Sequence, residues 1–206
     1  MSEISYTSGE QLFTVIEDVL DFANEEKAVE GDTVNAPVSV NDLIQTGLDK
    51  IQIKAVKRGI DIIYTPQSSD SFIVGDAEKL NKVFSNIIEN AEKFNKDRGF
   101  IKIGVDFHDD NTAKIDIIDT GIGIAAEDIE RIMAPFVQVD DSYSRSYGGS
   151  GLGLSIADRW TKFFGGEIKI FSKPNKGTCV RIIIPAQREK DLVKPFPVSA
   201  NLETAA

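Results

Sequence analysis

Apolar residues recur along this chain with two periods, and the switches between them mark the elements. Leu12, Ile16, Val19 and Ala23 fall at helical spacing, with Phe13 and Leu20 widening the stripe. Ser8-x-x-Gln11 resembles a capping box, so an amphipathic helix is predicted from there to about Glu26. Residues 28–38 lose the period and read as a linker. Ile44, Leu48, Ile51 and Ala55 predict a second helix from about Asn41, with Gly59 at its left-handed end. Ile60, Ile62, Ile63 and Tyr64 predict a short strand, and residues 66–71 a loop. Asp76 is a good N-cap for a third helix over 77–96, with Leu80, Phe84, Ile87 and Ala91 as its apolar face. The period then changes to two. Ile101, Ile103, Val105 and Phe107 alternate, as do Ala113, Ile115 and Ile117, which predicts a hairpin. A short helix is predicted over 126–132. Leu152, Ile156, Trp160 and Phe163 define a fourth helix ending at Gly165. Residues 168–171 and 179–184 form a last hairpin around Pro174-Asn175-Lys176-Gly177. Pro185 is expected to end the sheet, and 186–206 to be a loose tail. The pattern describes an α+β protein.

Some polar positions do not fit a plain solvated surface. Asn86, Asn90 and Lys93 lie at i, i+4 and i+7 of the third helix, nearly in line at about 100° per residue. Asparagine is a mediocre helix former whose amide competes for the backbone, so two in register beside a lysine ask for a reason other than solvation. Two glycine clusters, Asp119-Thr-Gly-Ile-Gly-Ile and Gly148-Gly-Ser-Gly-Leu-Gly-Leu-Ser, flank a polar stretch. Glycines let consecutive N–H groups form anion nests, and a helix opening at Gly151 adds its positive dipole end. The reading is a phosphate-bearing ligand under a lid, with residues 137–149 mobile without ligand and ordered with it. Asp119, at a strand end, can accept from an exocyclic amine such as that of adenine; an Asp-Thr-Gly alone is also a common turn. Gly121-x-Gly123-x-x-Ala126 is not read as a dinucleotide fingerprint, because it follows an antiparallel hairpin and not a βαβ unit. No P-loop motif occurs.

The totals narrow the partners. With 206 residues the chain suits one domain plus an extra element, and its formal net charge of -10 disfavours a nucleic-acid surface. Cys179 is the sole cysteine, so no intrachain disulfide is possible. No apolar run is long enough to span a membrane, so attachment to one is expected only through upstream segments, and the location is expected to be cytoplasmic. His108 is the sole histidine and falls in a predicted turn, without the partners a nucleophile needs.

Four motifs together resemble the boxes of sensor histidine kinases. Asn86-x-x-x-Asn90-Ala91-x-Lys93-Phe94 looks like the N box and Asp119 to Ile124 like the G1 box. Pro135-Phe136-x-Gln138 looks like the F box and Gly149-Ser150-Gly151-Leu152-Gly153-Leu154 like the G2 box. Their order and spacing agree over residues 40–185, and residues 12–23 resemble the second helix of the dimerisation hairpin. The wording from Phe136 to Gly153 is closest to hybrid and alphaproteobacterial members. The resemblance implies the Bergerat fold: a two-layer sandwich in which a mixed, mostly antiparallel sheet carries helices on one face, here preceded by the amphipathic helix. Residues 1–30 would be the hairpin remnant, 31–39 the linker, 40–186 the ATP-binding domain and 187–206 the tail.

The resemblance also assigns roles. Asp119 would bind the adenine amino group, with Thr178 assisting, and Gly121 and Gly123 would shape the base pocket. Asn90 would hold Mg2+ through its amide oxygen. Asn86 would act at the phosphates and Lys93 would neutralise them. Gly149, Ser150, Gly151, Leu152 and Gly153 would cradle the triphosphate. Phe136 would anchor the lid, and Arg145 is the candidate lid cation. Gln138 stands where some members carry an arginine. The family's phosphoacceptor histidine sits on the first dimerisation helix, so the acceptor is expected outside this chain. Implied partners are a histidine-bearing dimerisation helix, a response regulator receiver domain and a second copy in a homodimer. Two other readings remain open: a nucleotide-binding scaffold that docks a receiver, and an ATPase clamp like gyrase, whose relatives place a glutamate where Asn86 stands.

Overall fold

The computed structural model describes residues 35–67, 69–137 and 150–192. The predicted helix over 8–26 lies outside them. Within them the order is β1 (Ala36–Ser39), α1 (Val40–Arg58), β2 (Asp61–Ile63), β3 (Ser71–Gly75), α2 (Ala77–Lys93), β4 (Phe100–Phe107) and β5 (Thr112–Asp119). Then follow α3 (Ala126–Ile132), α4 (Gly153–Phe163), β6 (Glu167–Lys173), β7 (Gly177–Pro185), β8 (Gln187–Arg188) and α5 (Glu189–Leu192).

The main sheet runs β2-β4-β5-β7-β6. Only β2 and β4 pair in parallel; β4–β5, β5–β7 and β7–β6 are antiparallel, so the sheet is mixed and mostly antiparallel as expected. Period-two alternation does what it predicts. Ile101, Ile103, Ala113, Ile115, Ile117, Ile182 and Ile184 are buried under the helices. Lys102 and Asp106 between them are exposed, and Arg181 grips Asp116 on the open face at 2.6 and 2.8 Å. The fold is an α+β two-layer sandwich.

Capping sets the helix ends. Ser39 accepts from the Asp42 N–H at the start of α1, and Gly59 closes it with φ 66°. Asp76 accepts from the Glu78 and Lys79 N–H groups at the start of α2. The two helices approach closely at Gly47, where an added Cβ would stand 2.6 Å from Ile88 Cδ1.

Three expectations are corrected. Residues 36–39, read as the end of a linker, form β1 against β3. Residue 71 is not the end of a loop; it opens β3, a strand whose single turn of alternation is too short to stand out from its serine-rich surroundings. Pro185 does not end all pairing, because Gln187 and Arg188 pair with Phe72 and Ser71, completing a second sheet of order β1-β3-β8. The chain is therefore regular to Leu192, inside the stretch expected to be a loose tail.

Candidate nucleotide site

The site is built where α2, α4 and the loop after β5 meet. Gly153, the first residue of α4, faces Asn86 so closely that a Cβ would lie 3.4 Å from the Asn86 amide. Seven residues on, Lys79 of α2 reaches the Trp160 ring at 4.7 Å, so α2 and α4 run antiparallel. The N-terminus of α4 thus points towards the Asn86–Asn90–Lys93 stripe. Among the described residues, no side chain caps that terminus. A helix start without such a cap, with its dipole aimed at two amides and a lysine, is suited to an anion.

The glycine loop before α4 is held from both sides. Leu152 is buried in the core, so its side chain anchors the loop and only its backbone can serve a ligand. Its N–H bonds to the Ser150 hydroxyl at 3.2 Å. Gly151 has φ 72°, and a Cβ there would lie 3.1 Å from the Val137 carbonyl and 3.2 Å from that of Phe136. The F-box backbone therefore rests directly on the second glycine cluster. Phe136 itself has φ 63° and is 59% exposed, an uncommon backbone region for a bulky residue. Gln138, Arg145 and Gly149 lie outside the described residues, as does most of the predicted lid.

Asp119 ends β5 and is buried. Its Oδ1 accepts from the Gly121 N–H at 2.7 Å and the Thr178 N–H at 3.2 Å. Burial pushes its carboxyl up to about 6 against the lowering effect of those two donors. A carboxylate kept so short of solvent, with one oxygen already satisfied, offers the other to a ligand donor. Thr178 meets Asp119 through its backbone, while its hydroxyl pairs with Ser172 Oγ at 2.9 Å.

Gly121 and Gly123 were expected to shape the base pocket. The structure gives them a more immediate reason. A Cβ at Gly121 would fall 2.1 Å from the Phe94 carbonyl oxygen, and one at Gly123, with φ 68°, 1.9 Å from that of Lys173. The loop is wedged between the end of α2 and the β6–β7 turn, and the Ile122 N–H donates to the Phe94 carbonyl at 3.1 Å. This joins Asp119 to the end of the helix that carries Asn90 and Lys93. Burial, with repulsion from Lys54, lowers the Lys93 ammonium from its ordinary range, so an incoming anion finds a partly desolvated cation.

Sequence reasoning missed Ser172, whose hydroxyl accepts from the Ile124 N–H at 2.8 Å and fixes the far side of the loop. Its cross-strand pairing with Thr178 was the available signal, but register decides that pairing. His108 sits exposed in the β4–β5 turn, as expected.

A family model described as histidine kinase-, DNA gyrase B-, and HSP90-like ATPase matches residues 75–188. The chain is similar to the autoinducer 2 sensor kinase/phosphatase LuxQ of Vibrio harveyi, 27% identical over 205 residues, covering 97% of this chain and 24% of that protein. It is similar to the circadian input-output histidine kinase CikA of Synechococcus elongatus, 31% identical over 199 residues, covering 96% and 26%. Among solved structures, full-length ShkA in complex with AMPPNP superposes with a TM-score of 0.73 at 27% identity, covering 90% of this chain and 39% of ShkA. The chain spans about a quarter of the length of these two curated relatives. The family match extends over more than half of the chain and takes in Asn86, Asn90, Asp119 and Gly153. The chain belongs to the histidine kinase-, DNA gyrase B-, and HSP90-like ATPase family.

Proposed function

We propose that this chain is the ATP-binding catalytic part of a two-component sensor histidine kinase, transferring the γ-phosphoryl of ATP to a histidine outside the chain. The observation that carries the reading is the convergence of a helix start with no side-chain cap among the described residues, an amide–amide–lysine stripe and, through the Ile122–Phe94 bond, a loop that carries a buried carboxylate. The adenine amine is bound by Asp119 Oδ2, since Oδ1 is taken by backbone N–H groups. The phosphates lie against Gly149, Ser150, Gly151 and Gly153, with Lys93 offsetting their charge and Asn86 beside them. Asn90 is half-buried on the same stripe, and its amide oxygen is a hard donor that suits Mg2+ together with phosphate oxygens and water. When bound, Mg2+ supplies charge neutralisation. Phe136 anchors the lid and Arg145 supplies its cation. The histidine nitrogen attacks the γ-phosphorus and ADP leaves. Such transfer depends mainly on positioning and charge, which these residues provide. The supporting partners are a histidine-bearing dimerisation helix in a homodimer and a response regulator receiver. The work is placed on the cytoplasmic side, where ATP is available.

The arrangement disfavours an ATPase clamp. A general base must reach its water. Glu89 instead leans to Lys50 on α1 at 3.8 Å, and Glu92 is buried against Arg58 at 2.9 Å. Neither carboxylate stands on the Asn86 stripe.

The test mixes this chain, labelled ATP and a separate histidine-bearing helical hairpin. The chain alone should bind ATP and stay unlabelled. The hairpin should acquire an acid-labile, base-stable label, as a phosphoramidate does. Self-labelling abolished by His108→Ala would overturn the assignment of an external acceptor. ATP binding without transfer to any hairpin would favour the scaffold, and steady hydrolysis the clamp.

A further inference from the structure

The charged node at the end of α1 is absent from every motif that singles out the site. Arg58 is the last residue of α1, and its side chain is only 17% exposed. Nη1 donates to the Glu92 carbonyl at 2.6 Å and to Glu92 Oε1 at 2.9 Å. Nη2 donates to the Asn95 carbonyl at 2.5 Å, and Nε to Asp97 Oδ1 at 3.0 Å. The carbonyls at a helix C-terminus have no intrahelical donors, and here one guanidinium takes over that role for the last turn of α2. That turn carries Lys93 and follows Asn90.

The node continues to the other half of the site. Asn95 is buried. Its Oδ1 accepts from the Thr120 hydroxyl at 3.0 Å, and its Nδ2 donates to the Phe100 carbonyl at 3.0 Å. Thr120 Oγ1 accepts in turn from the Phe100 N–H at 2.9 Å. Gly99 makes room for the crossing: a Cβ there would stand 2.4 Å from both Asn95 Oδ1 and Thr120 Oγ1. Thr120 directly follows Asp119.

We propose that Arg58 is a positioning residue that, through Asn95 and Thr120, sets the phosphate-end turn of α2 in register with the adenine-end loop at Asp119. The inference rests on the nucleotide reading of the site. Each half has its own supports. Asp119 keeps Gly121 and Thr178, and Ile124 keeps Ser172, whatever Arg58 does. The clamp therefore matters to a ligand that spans both ends and not to one that occupies the adenine end alone. Lysine cannot replace the clamp, because one ammonium cannot span two carbonyls and two carboxylates with a planar fork.

The experiment titrates wild type, Arg58→Lys and Glu92→Gln with Mg·ATP and with adenosine. It also follows amide hydrogen exchange without ligand. Arg58→Lys should weaken Mg·ATP about tenfold, the scale of outer positioning contacts, and leave adenosine within about twofold. Glu92→Gln keeps the acceptor and removes its charge, so Mg·ATP should weaken about threefold with the same sparing of adenosine. In Arg58→Lys the amides of Phe94, Asn95 and Ile122 should exchange faster together, while those of β5 and β7 hold. Equal weakening of both ligands would mark a merely structural arginine and overturn the proposal. So would unchanged exchange at those three amides. Wild type failing to bind Mg·ATP would overturn the nucleotide reading instead, and the exchange result would still decide whether Arg58 holds the two segments together. If Arg58→Lys does not fold, the Glu92→Gln titrations decide.

Discussion

Asp119 shows how much one carboxylate is asked to do. Its Oδ1 is held by two backbone donors, so replacement by asparagine can keep both bonds and the local turn. The new Nδ2 would then present a donor to the donor of the adenine amine. Asp119→Asn should weaken ATP by about 1–3 kcal/mol in calorimetry while the unfolding midpoint does not fall, because a buried charge has been removed. Unchanged affinity would remove Asp119 from the site. The pH dependence follows from the same burial. Burial raises the folded carboxyl from the ordinary 3.8 to about 6, so the folded state holds its proton longer than the unfolded chain. Its contribution to stability is fully present below the unfolded value and is lost as pH rises through about 6. Nucleotide that prefers the ionised acceptor should bind more tightly across that same rise. Stability and affinity should move in opposite directions in wild type, and both trends should flatten in Asp119→Asn. A parallel trend in the two would exclude this carboxyl as the cause.

Glycines at the level of elements divide into those the packing demands and those it does not. Gly121 lies against the Phe94 backbone, which cannot yield as a side-chain tip can. Gly104, on the open face of β4, would meet nothing within 4 Å. Gly104→Val should be neutral or stabilising by up to about 1 kcal/mol, since a branched side chain suits an exposed strand better. Gly121→Ala should lower the denaturation midpoint and abolish ATP binding, because the loop must leave the end of α2. If chemical denaturation found the two substitutions equally costly, the wedge between α2 and the β6–β7 turn would not be what requires glycine. The sequence marked Gly121 within its motif but could not say which atoms press on it. Those atoms belong to Phe94, distant along the chain, and Phe94 arrives only when α2 has packed.

For the whole molecule, the informative surprise is the second sheet. β1 and β8 clamp β3 from either side, tying the segment before α1 to the segment after the main sheet. Arg188 of β8 also stacks on the Phe107 ring at 4.8 Å. Truncation after Ala186 should therefore uncover an edge of β3 and lower stability by about 1–2 kcal/mol in urea melts, with ATP affinity retained. A truncated chain as stable as the full one would return β8 to the status of a loose tail.

The sequence by itself determined the main elements, because their signals are local. The alternation of apolar residues in β4 and β5, the caps at Asp76 and Gly59, and the in-line Asn86, Asn90 and Lys93 all follow from residues within a few turns of one another. The resemblance in the four boxes added a ligand class. Tertiary structure alone decided the rest, where partners are remote in sequence and register sets who meets. It placed Gly153 on Asn86, the Phe94 carbonyl on Gly121 and Ser172 beneath Ile124. It made strands of residues 36–39 and 187–188, whose few positions carry no period of their own and gain strand character only from β3. It also gathered Arg58, Glu92 and Asn95, since a guanidinium's choice of carbonyls depends on where two helix ends come to rest.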